Sequence, residues 1–309
     1  MMTGGPQPHM RGAMTRHHAF LPILAAMLAV ASLSLMDAFM KSAALALGAL
    51  TAAWLRSALG TAIALPLWLG RGGRRPRPEV LRLHIRRGVI STFMALTFFY
   101  ALTKLPIAEA IAISFIAPLI ALYLARLLLG EVIRKSAIIA SIIGFAGTLV
   151  IVGGKIGRND FDSDAALGIA SILVSALLYA YNFILIRRQS QMAGPAEIAV
   201  FHSGVSVVLL GLAMPFAFNM PDAAIWFDLA MAALLTVAGA MGMAWAYARE
   251  EAQTLVPLEY SGFLWASLFG WLFFQEEVTA TTLLGTAIIV GACLIAARRK
   301  PKQPAQAAL

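Results

Sequence analysis

Long apolar stretches recur at nearly regular intervals along this chain of 309 residues, and they limit its fold more than any other feature. Ten stretches have 17 or more residues, enough at about 1.5 Å per residue to cross a hydrocarbon core of roughly 30 Å. The predicted spans are 19–40, 49–69, 88–105, 107–129, 136–153, 165–186, 196–218, 226–248, 254–274 and 279–297. They form continuous apolar blocks without strand-like alternation, which excludes a β-barrel and predicts an all-α membrane protein with ten transmembrane helices.

The composition agrees with this prediction. Apolar residues make up 60% of the chain and charged residues 13%, about half the charged fraction of an average soluble domain. The first apolar run is expected to be a retained span and not a cleaved signal peptide, because it is about twenty residues long and ends in Asp37 and Lys41. Residues 1–18 are polar and are expected to form a disordered cytoplasmic N-terminus, and residues 298–309 a cytoplasmic tail.

The basic residues are distributed unevenly between the loops. The formal net charge of +9 is one that a nucleic-acid-binding protein can carry. If the N-terminus is cytoplasmic, however, 18 of the 24 Lys and Arg residues fall in cytoplasmic loops and ends, and only four fall in outer loops. This positive-inside asymmetry predicts that both termini are cytoplasmic. The densest cluster, 71–87, has seven arginines without interleaved aromatics, so it indicates topology rather than a site for an acidic partner or nucleic acid.

The two halves of the chain resemble each other. The segment Tyr100–Val132 ends 146 residues before the end of the similar segment Tyr247–Val278, and the same offset places Arg56 on His202. A chance match of two short segments is the alternative, but the shared offset favours a true repeat. Two copies of five spans, an odd number, must be oppositely oriented, as in secondary transporters built from inverted repeats. The predicted five-helix repeats are residues 19–153 and 165–297.

These features resemble those of a known family. The ten-span layout, Asp37 with Lys41 at the end of the first span, Arg56 in the second, and the segments APLIALYLARLLLGE and EYSGFLWASLFGWLFFQEE resemble the EamA family of the drug/metabolite transporter superfamily. The resemblance covers roughly residues 19–297, although 275–277 read QEE where a Gly-Glu pair is typical. It implies a permease of the bacterial inner membrane for a metabolite such as riboflavin, S-adenosylmethionine or an amino acid, with uptake expected and export of amino acids or drugs as the alternative.

The sequence contains no catalytic or metal-binding motif. HExxH, GxSxG, the P-loop and CxxC are all missing, and only one of the five histidines lies within a span. No segment is long enough to fold a nucleotide-binding domain. We therefore predict neither an enzyme nor a cofactor or metal site. The competing class is a membrane scaffold or a channel, but a channel favours a continuous polar stripe through one span, which no span shows.

Polar groups at membrane depth are the candidates for substrate binding or gating. A charge at the centre of a lone membrane helix costs on the order of 3 kcal/mol, so it persists where it faces the protein interior. The candidates are Asp37, Arg56, Glu109, Asn182, His202 and Glu259. Asp37, Arg56 and Glu109 fall in the predicted outer half, whereas His202 and Glu259 fall in the inner half. This division can supply charged residues for a gate at each end of a transport pathway.

Two of these candidates have specific expected roles. Arg56 is expected to bind an anionic substrate group or to form an outer gate with Asp37, because its guanidinium presents a fixed fork of donors. His202 is a candidate carrier of a coupling proton. The structural alternatives are that Asp37 and Arg56 only offset each other's burial, and that Glu109 and Glu259 only stabilise helix N-termini.

Aromatic and small residues complete the candidate set. Phe93, Trp245 and Trp265 near span centres are expected to wall a cavity for a partly apolar solute, with core packing as the alternative for each. Small residues four apart allow helices to approach closely, first within the monomer and, as a second explanation, in a homodimer. These pairs are Ala140 with Gly144 and Ala287 with Gly291.

Overall fold

The computed structural model of the protein describes residues 9–129, 135–156, 162–189, 192–247 and 261–297. Within these ranges the regular structure is helical throughout, which confirms the all-α prediction. The helices are α1 (His9–Leu47), α2 (Ala49–Leu69), α3 (Pro78–Leu102), α4 (Ile107–Ser114), α5 (Ala117–Leu129), α6 (Lys135–Ile156), α7 (Ser163–Gln189), α8 (Pro195–Gly211), α9 (Met214–Ala217), α10 (Ala223–Tyr247), α11 (Gly262–Phe274) and α12 (Ala280–Ala297).

Several of these helices suit a bilayer. Five are long and apolar enough to cross a membrane, namely Leu21–Leu47, Ala49–Leu69, Pro78–Leu102, Ser163–Ile186 and Ala223–Met243. Five shorter apolar segments are Ile107–Ala121, Ile142–Gly154, Pro195–Gly211, Gly262–Phe274 and Ala280–Ala292. Each of these ten segments overlaps one predicted span, while the count of ten crossings remains a prediction. The chain is a multi-pass membrane protein.

Three elements differ from the predicted spans in their boundaries. Helix α1 begins at His9, within the segment 1–18 that the sequence predicts to be disordered, and it ends seven residues after the predicted end at 40. Helix α3 begins at Pro78, ten residues before the predicted start at 88. A proline at the first position is preorganised for a helix, and the carboxylate of Glu79 interacts favourably with the partial positive charge at the helix N-terminus. Part of the basic cluster, including Arg87, is therefore helical and not in a loop. The fourth span is interrupted at residues 115–116, between α4 and α5.

The helices pack mainly across the two halves, and the pattern of contacts is symmetrical. The first set is α1, α2, α3, α4–α5 and α6, and the second is α7, α8–α9, α10, α11 and α12. Helix α1 packs on α10 as α7 packs on α3, and α3 packs on α8 as α10 packs on α2. Helix α1 packs on α11 as α7 packs on α5, and the pairs α2–α8 and α6–α12 each map onto themselves. Exchanging the two sets therefore leaves the main contacts unchanged.

Close approach of α6 and α12 depends on two glycines. A Cβ on Gly147 would lie 2.8 Å from the carbonyl oxygen of Gly285, and a Cβ on Gly285 would lie 2.6 Å from that of Gly147. The predicted pair on α12 does not make this contact, since Ala287 is exposed and Gly291 has open space beside its Cα. The sequence pattern therefore identifies the right helices but the wrong face of α12.

Candidate functional site

Arg56 lies in the middle of α2, within the protein interior. Its side chain is only 7% exposed, and its guanidinium lies over the ring of Phe99 at 5.3 Å from the centroid. Nη1 donates a hydrogen bond to Oγ1 of Thr236 on α10, with a separation of 3.3 Å. Nε is buried and has no hydrogen-bond partner among the described residues. Because buried donors are nearly always paired, this free N–H can accommodate an acceptor from a ligand.

Asp37 on α1 lies close enough to Arg56 for the two charges to attract each other. They do not, however, form an ion pair with nitrogen and oxygen within 4 Å in the described structure. The predicted neighbours are thus brought together without direct contact, which leaves the guanidinium free to meet another acceptor.

His202 on α8 faces the same interior region from the other half. Its Nδ1 lies 3.0 Å from the hydroxyl oxygen of Ser91 on α3. It is also within electrostatic range of the guanidinium groups of Arg56 and Arg87. The repeat-related residues Arg56 and His202 therefore belong to one polar region between α2, α3 and α8.

Arg87 joins α3 to the end of α7. It is buried, with 7% of its surface exposed. Its Nε donates to Oδ1 of Asn182 at 3.1 Å, and its Nη1 donates to Oε1 of Gln189 at 2.7 Å. The predicted candidate Asn182 thus contacts an arginine that the sequence counts among the topology charges. The helical position of Arg87 is the signal that separates it from the loop arginines.

The hydrogen bonds continue from Gln189 to α8. Because Oε1 of Gln189 accepts from Arg87, its Nε2 donates to Nδ1 of His84, with a separation of 2.5 Å. Nε2 of His84 therefore carries the proton and donates to Oε1 of Glu197 at 2.8 Å. The ring of His84 also stacks on that of Phe201, with centroids 4.6 Å apart. We call the series Arg87, Gln189, His84 and Glu197 the His84 chain.

A second polar junction between the halves lies where α1, α3 and α11 end. Lys41 forms an ion pair with Glu276 and donates to the carbonyl oxygen of Leu105 at 2.7 Å. The second carboxylate oxygen of Glu276 accepts from the backbone N–H of Ile107 at 2.8 Å. Lys41 is 6% exposed. We call this group the Lys41 junction; it includes the QEE segment that departs from the family pattern.

The remaining predicted residues are less central. Glu109 is buried in the first turn of α4, a position that agrees with the structural alternative of an N-terminal carboxylate. Phe93 is 47% exposed, because it lies two residues after the buried Ser91 and so on the opposite face of α3. Trp265 stacks on Phe269 with ring centroids 6.2 Å apart. Glu259 lies outside the described residues.

A cavity of about 660 Å³ opens where α2 ends and α8 begins, beside the last turns of α10. It is lined by Trp68, Arg71, Gly72, Gly73, Arg74, Gly194, Pro195, Ala196, Glu197, Met241 and Trp245. Trp245 therefore lines a cavity, and Glu197 links this cavity to the His84 chain. We call it the vestibule. Its volume is in the usual range for small-molecule sites, roughly 300–1,000 Å³.

Several characterised proteins are similar to this chain over most of its length. The pseudopaline exporter CntI of Pseudomonas aeruginosa is 28% identical over 279 residues, which cover 90% of this chain and 96% of that protein. A riboflavin transporter of Brucella anthropi is 27% identical over 77% of this chain and 84% of its own. An S-adenosylmethionine uptake transporter of Rickettsia prowazekii is 22% identical over 87% of this chain and 89% of its own.

A solved crystal structure has the same fold, with a TM-score of 0.61, 20% sequence identity, and coverage of 90% of this chain and 96% of that one. The EamA-like transporter family matches the sequence twice, over residues 20–153 and 166–298. The family and the similar proteins are transporters and not enzymes. This multi-pass protein therefore belongs to the EamA-like transporter family of drug/metabolite transporters.

Proposed function

We propose that this protein is a secondary transporter that moves a small organic metabolite across the bacterial inner membrane by alternating access. The single observation that carries the proposal is the arrangement of polar groups between the two halves. Buried hydrogen bonds join the halves at the Lys41 junction and at the His84 chain, and Arg56 lies between these positions along the helices with a free buried donor.

Two inverted five-helix repeats account for the symmetrical packing. If each set spans the bilayer five times, the two sets enter it from opposite sides, and a two-fold axis in the membrane plane exchanges them. The contacts α1–α10 and α7–α3 are then equivalent. With both termini cytoplasmic, the Lys41 junction lies at the outer mouth and the His84 chain at the cytoplasmic mouth.

The chemistry of both groups suits reversible gates. Removing one partner of a buried ion pair typically costs 3–5 kcal/mol, because the other charge stays buried and unpaired. Opening a gate instead returns both partners to water. Their mutual attraction is then lost, but the cost of desolvating the two groups is recovered, so the two changes largely offset each other. Lys41 and Glu276 can therefore separate at a much smaller free-energy cost than either residue can be removed. The hydrogen bond from Nε2 of His84 to Glu197 can likewise be exchanged for hydrogen bonds to water.

Arg56 would anchor the substrate through an anionic group. A guanidinium with an unpaired Nε in a water-poor interior forms strong hydrogen bonds to carboxylate or phosphate.

The similar proteins transport riboflavin and S-adenosylmethionine, or export pseudopaline, so a metabolite of this kind is our proposed cargo. We expect uptake, with export as the alternative that the pseudopaline exporter favours. A proton carried by His202 is the proposed coupling ion. The face of α12 that bears the exposed Ala287 and the half-buried Gly291 is the proposed site of homodimerisation.

Counterflow exchange in proteoliposomes tests this function. A thermal-shift screen of the purified protein with riboflavin, S-adenosylmethionine and the amino acids would first select a compound. Wild-type protein should then exchange the labelled compound against an internal unlabelled pool, which a channel does not do. Arg56→Lys should abolish exchange because one ammonium cannot reproduce the guanidinium geometry, whereas the matched loop variant Arg75→Lys should not. Wild-type exchange by a folded Arg56→Lys variant would exclude the anchoring role.

A further inference from the structure

The vestibule is lined by charges of both signs. Arg71 and Arg74 follow the C-terminus of α2, and Glu197 lies in the first turn of α8. Only these two of the loop arginines line the cavity; Arg75 and Arg77 do not. A signal for membrane topology requires positive charge anywhere in this loop, so it does not explain why two arginines line a cavity beside a carboxylate.

The rest of the lining is apolar and held in place. Trp68 packs edge-on against Phe201, with ring centroids 5.8 Å apart. Glu197 is positioned by the hydrogen bond from His84, and only 20% of its side chain is exposed. Trp245 and Met241 contribute to the lining from α10. The vestibule therefore presents indole surfaces with a fixed carboxylate and two guanidinium groups.

We propose that the vestibule binds a zwitterionic compound with an apolar body, of the chemical class of the larger α-amino acids. A carboxylate is recognised by Arg71 and Arg74, an ammonium group by Glu197 and the indole faces, and the body lies between Trp68 and Trp245. A purely anionic ligand meets the repulsion of Glu197, and a purely cationic ligand meets that of the two arginines. A zwitterion satisfies both sets of charges.

The claim that the vestibule binds such a compound does not depend on the proposed function. The further claim that the vestibule is where the transported compound first binds rests on the proposed function. The same chemistry is present in a soluble amino-acid-like metabolite and in the headgroup of phosphatidylethanolamine. Both carry an ammonium group and an anionic group beside apolar matter. The experiment therefore includes an arm for each source.

Binding of three probes to the full chain in phosphatidylglycerol nanodiscs, whose lipid has no ammonium group, tests the inference. The probes are phenylalanine, 3-phenylpropionate, which lacks the ammonium, and 2-phenylethylamine, which lacks the carboxylate. Calorimetry at pH 7 should show that phenylalanine binds about tenfold more tightly than either singly charged probe, the gain expected from one further charge-assisted hydrogen bond. Equal binding of the three probes, or no binding, would overturn the proposal.

Three variants assign the charges. The double variant Arg71→Gln with Arg74→Gln should lose the preference for phenylalanine over 2-phenylethylamine. Glu197→Gln should lose the preference over 3-phenylpropionate, while its amide oxygen still accepts the hydrogen bond from His84. The double variant Arg75→Gln with Arg77→Gln removes the same net charge from the same loop and should bind like the wild type. An equal loss in that control would show a general charge effect and would refute the site.

The two sources and the two proposals can be separated. Phosphatidylethanolamine in the nanodiscs should leave phenylalanine binding unchanged if the natural ligand is soluble, and should compete with it if a lipid headgroup fills the vestibule. Charge-selective binding without counterflow of any compound would leave the vestibule standing and remove the proposed transport function. If counterflow is observed but all three variants leave probe binding unchanged, the proposed transport function stands and the vestibule proposal is refuted.

Discussion

Neutralising Glu276 should open the protein at the Lys41 junction. The side chains of Lys41 and Glu276 are only 8% and 14% exposed, so Glu276→Gln leaves a buried ammonium without its carboxylate, although the carbonyl oxygen of Leu105 still accepts a hydrogen bond from it. The amide still accepts the N–H of Ile107, so the backbone contact survives. With that oxygen as partial compensation, we expect the cost at the low end of the range for a broken buried pair, about 3 kcal/mol. If opening hydrates the lysine, this cost shifts the equilibrium toward the open state roughly a hundredfold.

The rate of maleimide labelling measures this shift. A cysteine placed at Ala108, which is 4% exposed in α4, reports access from the side of the Lys41 junction once Cys293 has been replaced by serine. Glu276→Gln should raise the labelling rate by about two orders of magnitude. Adding Lys41→Met should restore much of the protection, since no buried charge is then left unpaired. Unchanged labelling in Glu276→Gln, or a double variant as open as the single one, would refute the reasoning.

Three further predictions concern other parts of the structure. His202→Gln keeps a hydrogen-bonding group near Ser91 but cannot carry a proton, so transport should lose its dependence on an imposed pH gradient; full retention would exclude the proton role. Gly147→Ala should lower the thermal unfolding temperature by an amount equivalent to about 1–3 kcal/mol, because its Cβ meets a backbone oxygen of α12. The control Gly153→Ala on the same helix meets open space and should not destabilise the protein. Lys104, in the connection between α3 and α4, donates to Asp164 at 2.7 Å, and this hydrogen bond raises the pKa of Lys104 above its ordinary 10.5. Its contribution to stability is therefore present below pH 10.5 and is lost as the pH rises through the raised pKa; NMR titration of methylated lysines should show that Asp164→Asn lowers this pKa.

The architecture could be predicted because lipid restricts the available backbone structures. Within a bilayer every backbone N–H and C=O group must be paired internally, so a long apolar run becomes a helix whatever its neighbours are. The repeat could also be found from the sequence, because an offset of 146 residues aligns both the flanking segments and Arg56 with His202. An arginine inside an apolar run is conspicuous, and Arg56 indeed lies in the interior.

The sequence alone could not predict which polar groups at the ends of the spans are buried and contact each other. Lys41 and Glu276 are 235 positions apart, and each lies beside a loop where charged residues are common. Arg87 and His84 belong to a cluster whose other members are solvated, and only the helix that starts at Pro78 turns them toward α7 and α8. Phe93 and Ser91 differ by two positions in an apolar run, yet one is exposed and the other buried.

The sequence by itself determined the helical class, the repeat, the family and the central arginine, because these depend on composition and spacing along one chain. The tertiary structure decided which charges meet. Ion pairs and hydrogen bonds form over about 3 Å, so they depend on how α1 lies against α11 and α3 against α7, and on the helix boundaries that set each side chain's direction. The contacts between the halves at both ends of the transporter, and the vestibule beside one of them, appear only once the helices are packed.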